Sequence, residues 1–88
     1  MTKNVFWANN KWHVFWVDKD TPAGMVKYSV NETGEQKPEA WSKPEVIAYT
    51  QNITATVKDG FTYVKTPTQL LKFDPATDTW IEVKENEQ

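Results

Sequence analysis

Only a few side chains in this 88-residue sequence could take part in catalysis. The chain has one histidine, His13, which lies between Trp12 and Val14, and it has no cysteine. A single histidine provides neither a histidine pair for a metal ion nor the hydrogen-bonded partners of a nucleophilic triad. We therefore interpret His13 as a packed or hydrogen-bonded strand residue, and we expect that the protein is not an enzyme.

Asp18 and Asp20 are the one pair of carboxylates whose spacing suggests chemistry. They could form a carboxylate pair or part of a calcium site. A calcium loop needs several further oxygen donors at fixed spacing, and the sequence around these residues does not provide them. We interpret the pair as part of a solvated loop, and we predict no metal and no cofactor.

Aromatic side chains are the most distinctive feature of the composition. The chain has five Trp, three Tyr and four Phe. Aromatic faces stack on the apolar face of a sugar ring or on a base, and the indole NH or phenol OH adds a hydrogen bond. For each aromatic residue alone a core role is favoured, but we expect at least one of a set near strand ends and beside loops to line a ligand site. The candidate binding residues are Trp7, Trp16, Trp41, Tyr49, Tyr63 and Trp80.

The charged residues and the lengths of the apolar runs argue against nucleic acid and against a membrane as partners. The formal net charge is −2, and all ten cationic residues are lysines. Bidentate recognition of phosphate or guanine prefers arginine, so nucleic acid is not an expected partner. No apolar run approaches the roughly 20 residues of a membrane span, and no apolar segment follows the first residues. We expect neither a signal peptide nor a membrane partner, and hence a cytoplasmic protein or one released without such a signal.

The elements that must position the aromatic residues are strands. The segment 12–18 alternates Trp12, Val14 and Trp16 with His13 and Phe15, and it contains no Gly or Pro. Such alternation places the two sets on opposite faces of a strand. Both faces carry large apolar groups, so we predict that both are covered.

Seven further segments show strand composition, and no segment longer than ten residues has a helical period. Turn residues separate the segments: Asn9-Asn10 and Asp59-Gly60 tolerate positive φ, and Asp74-Pro75 suits the first positions of a type I turn. Pro44 marks the fourth segment as an edge or bulged strand. The predicted strands cover residues 4–8, 12–18, 25–30, 41–47, 52–57, 61–65, 69–73 and 79–83.

The eight strands form two similar halves. The segment Val26-Lys27-Tyr28-Ser29 corresponds to Leu71-Lys72-Phe73-Asp74, and the segment around Trp41 corresponds to that around Trp80. Each half is about 40–48 residues with four strands, which is typical of a propeller blade. We predict a single all-β domain of two repeats, at residues 4–47 and 52–84.

These motifs resemble those of known propellers. Residues 18–44 resemble a blade of the sialidase-like and fucose-lectin-like propellers, and residues 71–80 resemble the end of a Kelch blade. The likeness to small oligomeric lectins with two-blade chains implies a binding module for a glycan or small polar ligand. Both sialidases and fucose lectins use arginine to bind their sugars, and this chain has none, so the resemblance carries over no enzyme activity and no particular sugar.

Two blades cannot close a ring, because propellers need about four to eight. The resemblance therefore implies a homo-oligomer, with a trimer of six blades as the preferred form. A small eight-stranded sandwich or barrel is the alternative fold. A structural or protein-interaction component, such as a phage or virion protein, is the alternative function.

Overall fold

The structure, a computed structural model, describes residues 3–84. These residues form eight β-strands and one short 3-10 helix, η1. The strands of the first half are β1 Lys3–Ala8, β2 Lys11–Asp18, β3 Met25–Asn31 and β4 Glu45–Ala48, and η1 is Pro38–Ala40. Those of the second half are β5 Thr54–Lys58, β6 Phe61–Lys65, β7 Leu70–Asp74 and β8 Thr79–Val83.

The strands form two antiparallel four-stranded sheets, in the orders β1-β2-β3-β4 and β5-β6-β7-β8. The chain divides into two compact units between Gln51 and Asn52. The predicted all-β class and the two four-stranded sheets are confirmed, and the eight strands do not form one closed barrel. Within residues 3–84, no helix is long and apolar enough to cross a membrane.

The first hairpin of each unit closes on a two-residue turn. Asn9 and Asn10 have φ values of 55° and 61°, and Asp59 and Gly60 have values of 54° and 82°. Two consecutive positive φ values match the right-handed twist of the flanking strands. The turns thus fix the register of both hairpins, as the sequence predicted.

The prediction of a fourth strand from residue 41 is wrong at its start. β4 begins at Glu45, and Trp41 makes only an isolated bridge to Asn31. Pro44 has no amide hydrogen to donate, and its ring restricts Lys43, so continuous pairing starts only after it. As a result, residues 32–44 form a long connection beside the first sheet.

The first unit buries one face of its central strand. Phe15 and Val26 have no exposed surface, and Tyr28 is 7% exposed. His13 is also fully buried, and its ring stacks on Phe6 with centroids 4.6 Å apart. The other face is less covered, since Trp12 remains 41% exposed. The expected cover on both faces of β2 is therefore incomplete in the described residues.

Two hydrogen bonds hold the His13 ring in this core. Its Nε2 lies 2.9 Å from the Ala8 carbonyl oxygen, and its Nδ1 lies 2.8 Å from the Tyr28 hydroxyl. A carbonyl only accepts, so Nε2 carries the proton, and in the neutral ring Nδ1 accepts from Tyr28. The interpretation of His13 as a hydrogen-bonded strand residue is confirmed.

Replacement of Tyr28 by phenylalanine should destabilise the protein. The change removes the hydroxyl that donates to the buried His13 Nδ1, at a cost of about 1–3 kcal/mol in the free energy of unfolding. Urea denaturation measures this loss. Tyr49→Phe is the matched control, because Tyr49 is 76% exposed, and an equal loss in both variants would contradict the role of the buried hydrogen bond.

The second unit has its own small core. Val64 is fully buried, and Phe73 and Leu71 are 2% and 6% exposed. The Trp80 ring packs edge-on against Phe73, with centroids 5.6 Å apart. On the opposite face of the sheet, the Lys72 ammonium lies 4.0 Å from the centre of the Phe61 ring, a cation–π contact.

Candidate functional site

The first unit contains a groove of about 950 Å³ on the less covered face of its sheet. We call it the tryptophan groove, because three indole rings line it: Trp12, Trp16 and Trp41. Its volume lies within the range of small-molecule sites, about 300–1,000 Å³. A second cavity, of about 350 Å³ in the second unit, has no aromatic lining.

Strand pairing builds the floor of the groove. Trp12, Val14 and Trp16 share a face of β2 because they are two residues apart. On one side, Val14 pairs with Val5 of β1, and on the other it pairs with Ser29 of β3. Directly opposed residues point to the same face, so the floor is an apolar stripe with a hydroxyl along one side.

One wall is the segment 34–44, and Asn31 anchors its beginning. The Asn31 side chain is 3% exposed. Its Oδ1 accepts from the amides of Gly34, at 2.8 Å, and Thr33, at 3.0 Å, while its Nδ2 donates to the Glu35 carbonyl at 2.8 Å. Gly34 adopts φ 79°, a conformation that glycine takes without strain. The turn after β3 is therefore fixed by one amide side chain.

A pair of serines anchors the end of the same wall. Ser29 Oγ donates to the Ser42 carbonyl at 2.6 Å, and the Val30 amide donates to Ser42 Oγ at 3.0 Å. The Ser42 amide in turn donates to the Val30 carbonyl at 2.8 Å. Trp41, which precedes Ser42 and bridges Asn31, is thus held beside the floor.

The lining combines aromatic and polar groups. Besides the three indoles, it includes the Asn31 amide, the Ser29 and Ser42 hydroxyls, and the charged groups Lys3, Glu35, Lys37 and Lys43. Such a surface can stack on a flat or weakly polar ring and make hydrogen bonds to groups at the edge of that ring. Within the described part of the chain, no group of three or more His, Asp or Glu side chains could hold a metal ion.

The structure brings together only two of the six candidate binding residues. Trp16 and Trp41 line the groove, and Trp7 lies beside it, with its ring 5.0 Å from that of Trp12 in an edge-on arrangement. Tyr49 is 76% exposed after β4 and does not line the groove. The remaining two belong to the second unit: Tyr63 lies half-buried on β6 and Trp80 lies on β8.

Sequence reasoning missed Trp12 as a groove residue. The signal was present, because Trp12 is four residues before Trp16 in the same strand and therefore shares its face. Asn31 and Ser29 gave no such signal. Their importance comes from bonds to the segment 33–42, which only the folded backbone brings alongside β3.

Asp18 is paired with Lys27 and holds the backbone of Asp20. Asp18 Oδ2 lies 2.8 Å from the Lys27 ammonium, and Asp18 Oδ1 accepts from the Asp20 amide at 3.0 Å. The Lys27 hydrogen bond, followed by that of Asp20, lowers the pKa of Asp18 below its usual value of 3.8. The same contact with Asp18 raises the pKa of Lys27 above 10.5.

This ion pair should give the stability a defined pH dependence. The lowered pKa of Asp18 means that its contribution is present at neutral pH and is lost as the pH falls through the folded-state pKa, below 3.8. The raised pKa of Lys27 means that the contribution is also lost as the pH rises above 10.5. The free energies of unfolding of wild type and Asp18→Asn, measured by urea denaturation, should differ by a constant amount between about pH 5 and 9, and they should converge as the pH falls below 3.8 or rises above 10.5. Parallel curves at every pH would contradict the ion pair.

No protein-family model matches the chain, and neither any curated protein nor any solved structure matches it.

Proposed function

We propose that this protein is a lectin-like binding module that recognises a glycan in the tryptophan groove without catalysing a reaction. The observation that carries the proposal is the presence of three indole rings in one groove whose wall is fixed by hydrogen bonds from Asn31, Ser29 and Ser42. The backbone of Trp41 is fixed before binding by its bridge to Asn31, so less conformational freedom is lost when a ligand stacks on its ring.

The polar groups of the groove favour a sugar over a purely apolar ligand. A sugar presents apolar C–H faces and a ring of hydroxyls, so it needs both stacking surfaces and hydrogen-bonding groups. Amide, hydroxyl and ammonium groups surround the indoles here. An apolar ligand would remove water from the Lys3 and Lys43 ammonium groups without replacing its hydrogen bonds, which is unfavourable.

A glycan array tests the proposal directly. The labelled protein is applied to a panel of neutral and acidic glycans, in parallel with the double variant Trp12→Ala/Trp41→Ala. The proposal predicts binding to a restricted set of related glycans by wild type and its loss in the variant. Binding to no glycan, or equal binding by both proteins, would contradict it.

We further propose that the two sheets are propeller blades and that copies of the chain complete a ring, most favourably as a trimer. The consecutive antiparallel order of each sheet supports this arrangement, since a propeller blade is a four-stranded sheet. So do the exposed apolar side chains Trp7 and Val57, which are 55% and 70% exposed. Contacts between copies would remove these side chains from water.

The mass of the protein in solution tests whether the chains form a ring. A trimer of the 10.2 kDa chain has a mass of about 30 kDa by light scattering coupled to size exclusion. Its melting temperature should rise with protein concentration, because association stabilises the folded state. A folded monomer with a melting temperature indifferent to dilution would contradict the ring, whereas a dimer or tetramer would correct only the number of chains.

A structural or protein-interaction role is the second candidate. Trp7 and Val5 are exposed on the same sheet face as Trp12, and exposed aromatic residues are frequent at protein interfaces. This role predicts that Trp7→Ala changes the mass of an assembly while glycan binding is absent from the array.

A further inference from the structure

The two ends of the tryptophan groove along β2 differ in charge. At the Trp12 end, the cross-strand neighbours are Trp7 and Asn31, which are both uncharged. At the Trp16 end, the neighbours are Lys3 on β1 and Lys27 on β3. Directly opposed residues have Cβ atoms about 4.5–5.5 Å apart, so two lysines flank the Trp16 ring.

The two lysines beside Trp16 are not equivalent. Lys27 is paired with Asp18 at 2.8 Å and does not line the groove. Lys3 lines it, and the salt bridges found among residues 3–84 do not involve Lys3. The ammonium group of Lys3 is therefore available to a ligand.

Lys43 adds a second cation to the groove. Lys43 follows Ser42, whose carbonyl accepts a hydrogen bond from Ser29. On the groove face of β3, Ser29 lies between Asn31 and Lys27. This places Lys43 further from the Trp12 end than Trp41, which bridges Asn31. Lys43, like Lys3, takes part in neither salt bridge of the described residues.

Carboxylates do not balance these two cations within the groove. Glu35 is the acidic side chain that lines it, and Glu35 pairs with Lys37 at 3.6 Å. The neighbouring Glu32, Glu39 and Glu45 are outside the lining. A protein with a net charge of −2 thus presents a locally cationic groove.

We infer that the glycan bound here is acidic, with a carboxylate-bearing sugar residue at the Lys3, Lys43 and Trp16 end and an uncharged face stacked on Trp12 and Trp41. The inference rests on the proposed function and names its ligand class. The lysine ammonium is a point charge and lacks the planar pair of donors that arginine presents, so it can bind a carboxylate in several orientations. The groove accordingly selects for charge more than for one carboxylate geometry.

The test compares uronate oligosaccharides with their methyl esters, which keep the sugar backbone and lose the charge. The probes are tetrasaccharides of galacturonate, of mannuronate, and of alternating glucuronate and N-acetylglucosamine. Titration calorimetry should show that at least one acid binds about tenfold more tightly than its ester. This is the difference in affinity expected from two exposed charge contacts. The preference should shrink as sodium chloride is raised from about 20 mM to 500 mM, because salt screens exposed charges.

The variant Lys3→Gln/Lys43→Gln should bind the acid about tenfold less tightly and the ester unchanged. The control Lys19→Gln/Lys58→Gln alters the net charge equally at positions outside the groove, and it should behave as wild type. Binding of acid and ester with equal affinity would overturn the charge inference and leave the glycan proposal intact. Binding of neither would overturn the charge inference, and the glycan array then decides the glycan proposal. Tighter binding of a single-stranded DNA of matched charge would overturn both in favour of nucleic acid.

Discussion

Replacement of Phe15 by alanine is expected to unfold the first sheet. Phe15 has no exposed surface, and it pairs with Tyr28 on one side and with Asn4 on the other. Its ring also contacts that of Phe6, with centroids 6.2 Å apart. Truncation of a buried phenylalanine costs about 3–5 kcal/mol, a large part of the stability of a domain this small.

Circular dichroism with urea denaturation measures this effect. Phe15→Ala should lack the far-ultraviolet signal of the native protein or lose it at a much lower urea concentration. Val5→Ala is the control, because Val5 lies on the opposite face of the same sheet and is 56% exposed, so its removal should change stability by less than about 0.5 kcal/mol. Similar midpoints for Phe15→Ala and wild type would contradict the assignment of Phe15 to the core.

Replacement of Trp41 by alanine is expected to abolish most of the glycan affinity while the chain stays folded. Trp41 lies half-buried outside the strands, held by its bridge to Asn31 and by donation of its amide to the Pro38 carbonyl at 3.2 Å. Both contacts use the backbone, so the alanine variant keeps them. Loss of one stacking ring costs roughly 1–3 kcal/mol, equivalent to about 5- to 150-fold in affinity.

Titration calorimetry with the strongest glycan from the array measures this loss, and urea denaturation of the same sample verifies folding. Tyr49→Ala serves as the control, because it removes an aromatic ring that is 76% exposed and outside the groove. A loss of affinity in Tyr49→Ala but not in Trp41→Ala would move the binding site away from the groove. Unfolding of Trp41→Ala would instead make Trp41 a core residue.

Much of the fold could be predicted because local sequence determines it. The alternation of Trp12, Val14 and Trp16 with Phe15 indicated a strand with two different faces. Asn9 and Asn10 indicated a tight turn, since asparagine tolerates positive φ. These signals act within a few residues, so they do not depend on the rest of the molecule.

The missed features depend on residues far apart in the sequence. Tyr28 and His13 are joined by a hydrogen bond across 15 positions, and Ser29 and Ser42 across 13. Alternation assigned Trp12 to a face of β2 and predicted cover on both faces, but the structure leaves the Trp12 face partly open. That depends on where Asn31 and Ser42 attach residues 32–44 to β3.

Nuclear magnetic resonance of the indole NH groups tests most directly whether the tryptophan groove binds glycan. The five Trp give five resonances, which single Trp→Phe variants assign. On titration with the glycan selected by the array, the resonances of Trp12, Trp16 and Trp41 should shift and saturate together, while that of Trp80, in the second unit, should not move. A shift confined to Trp80, or no shift in the three groove residues at saturating glycan, would contradict the proposal.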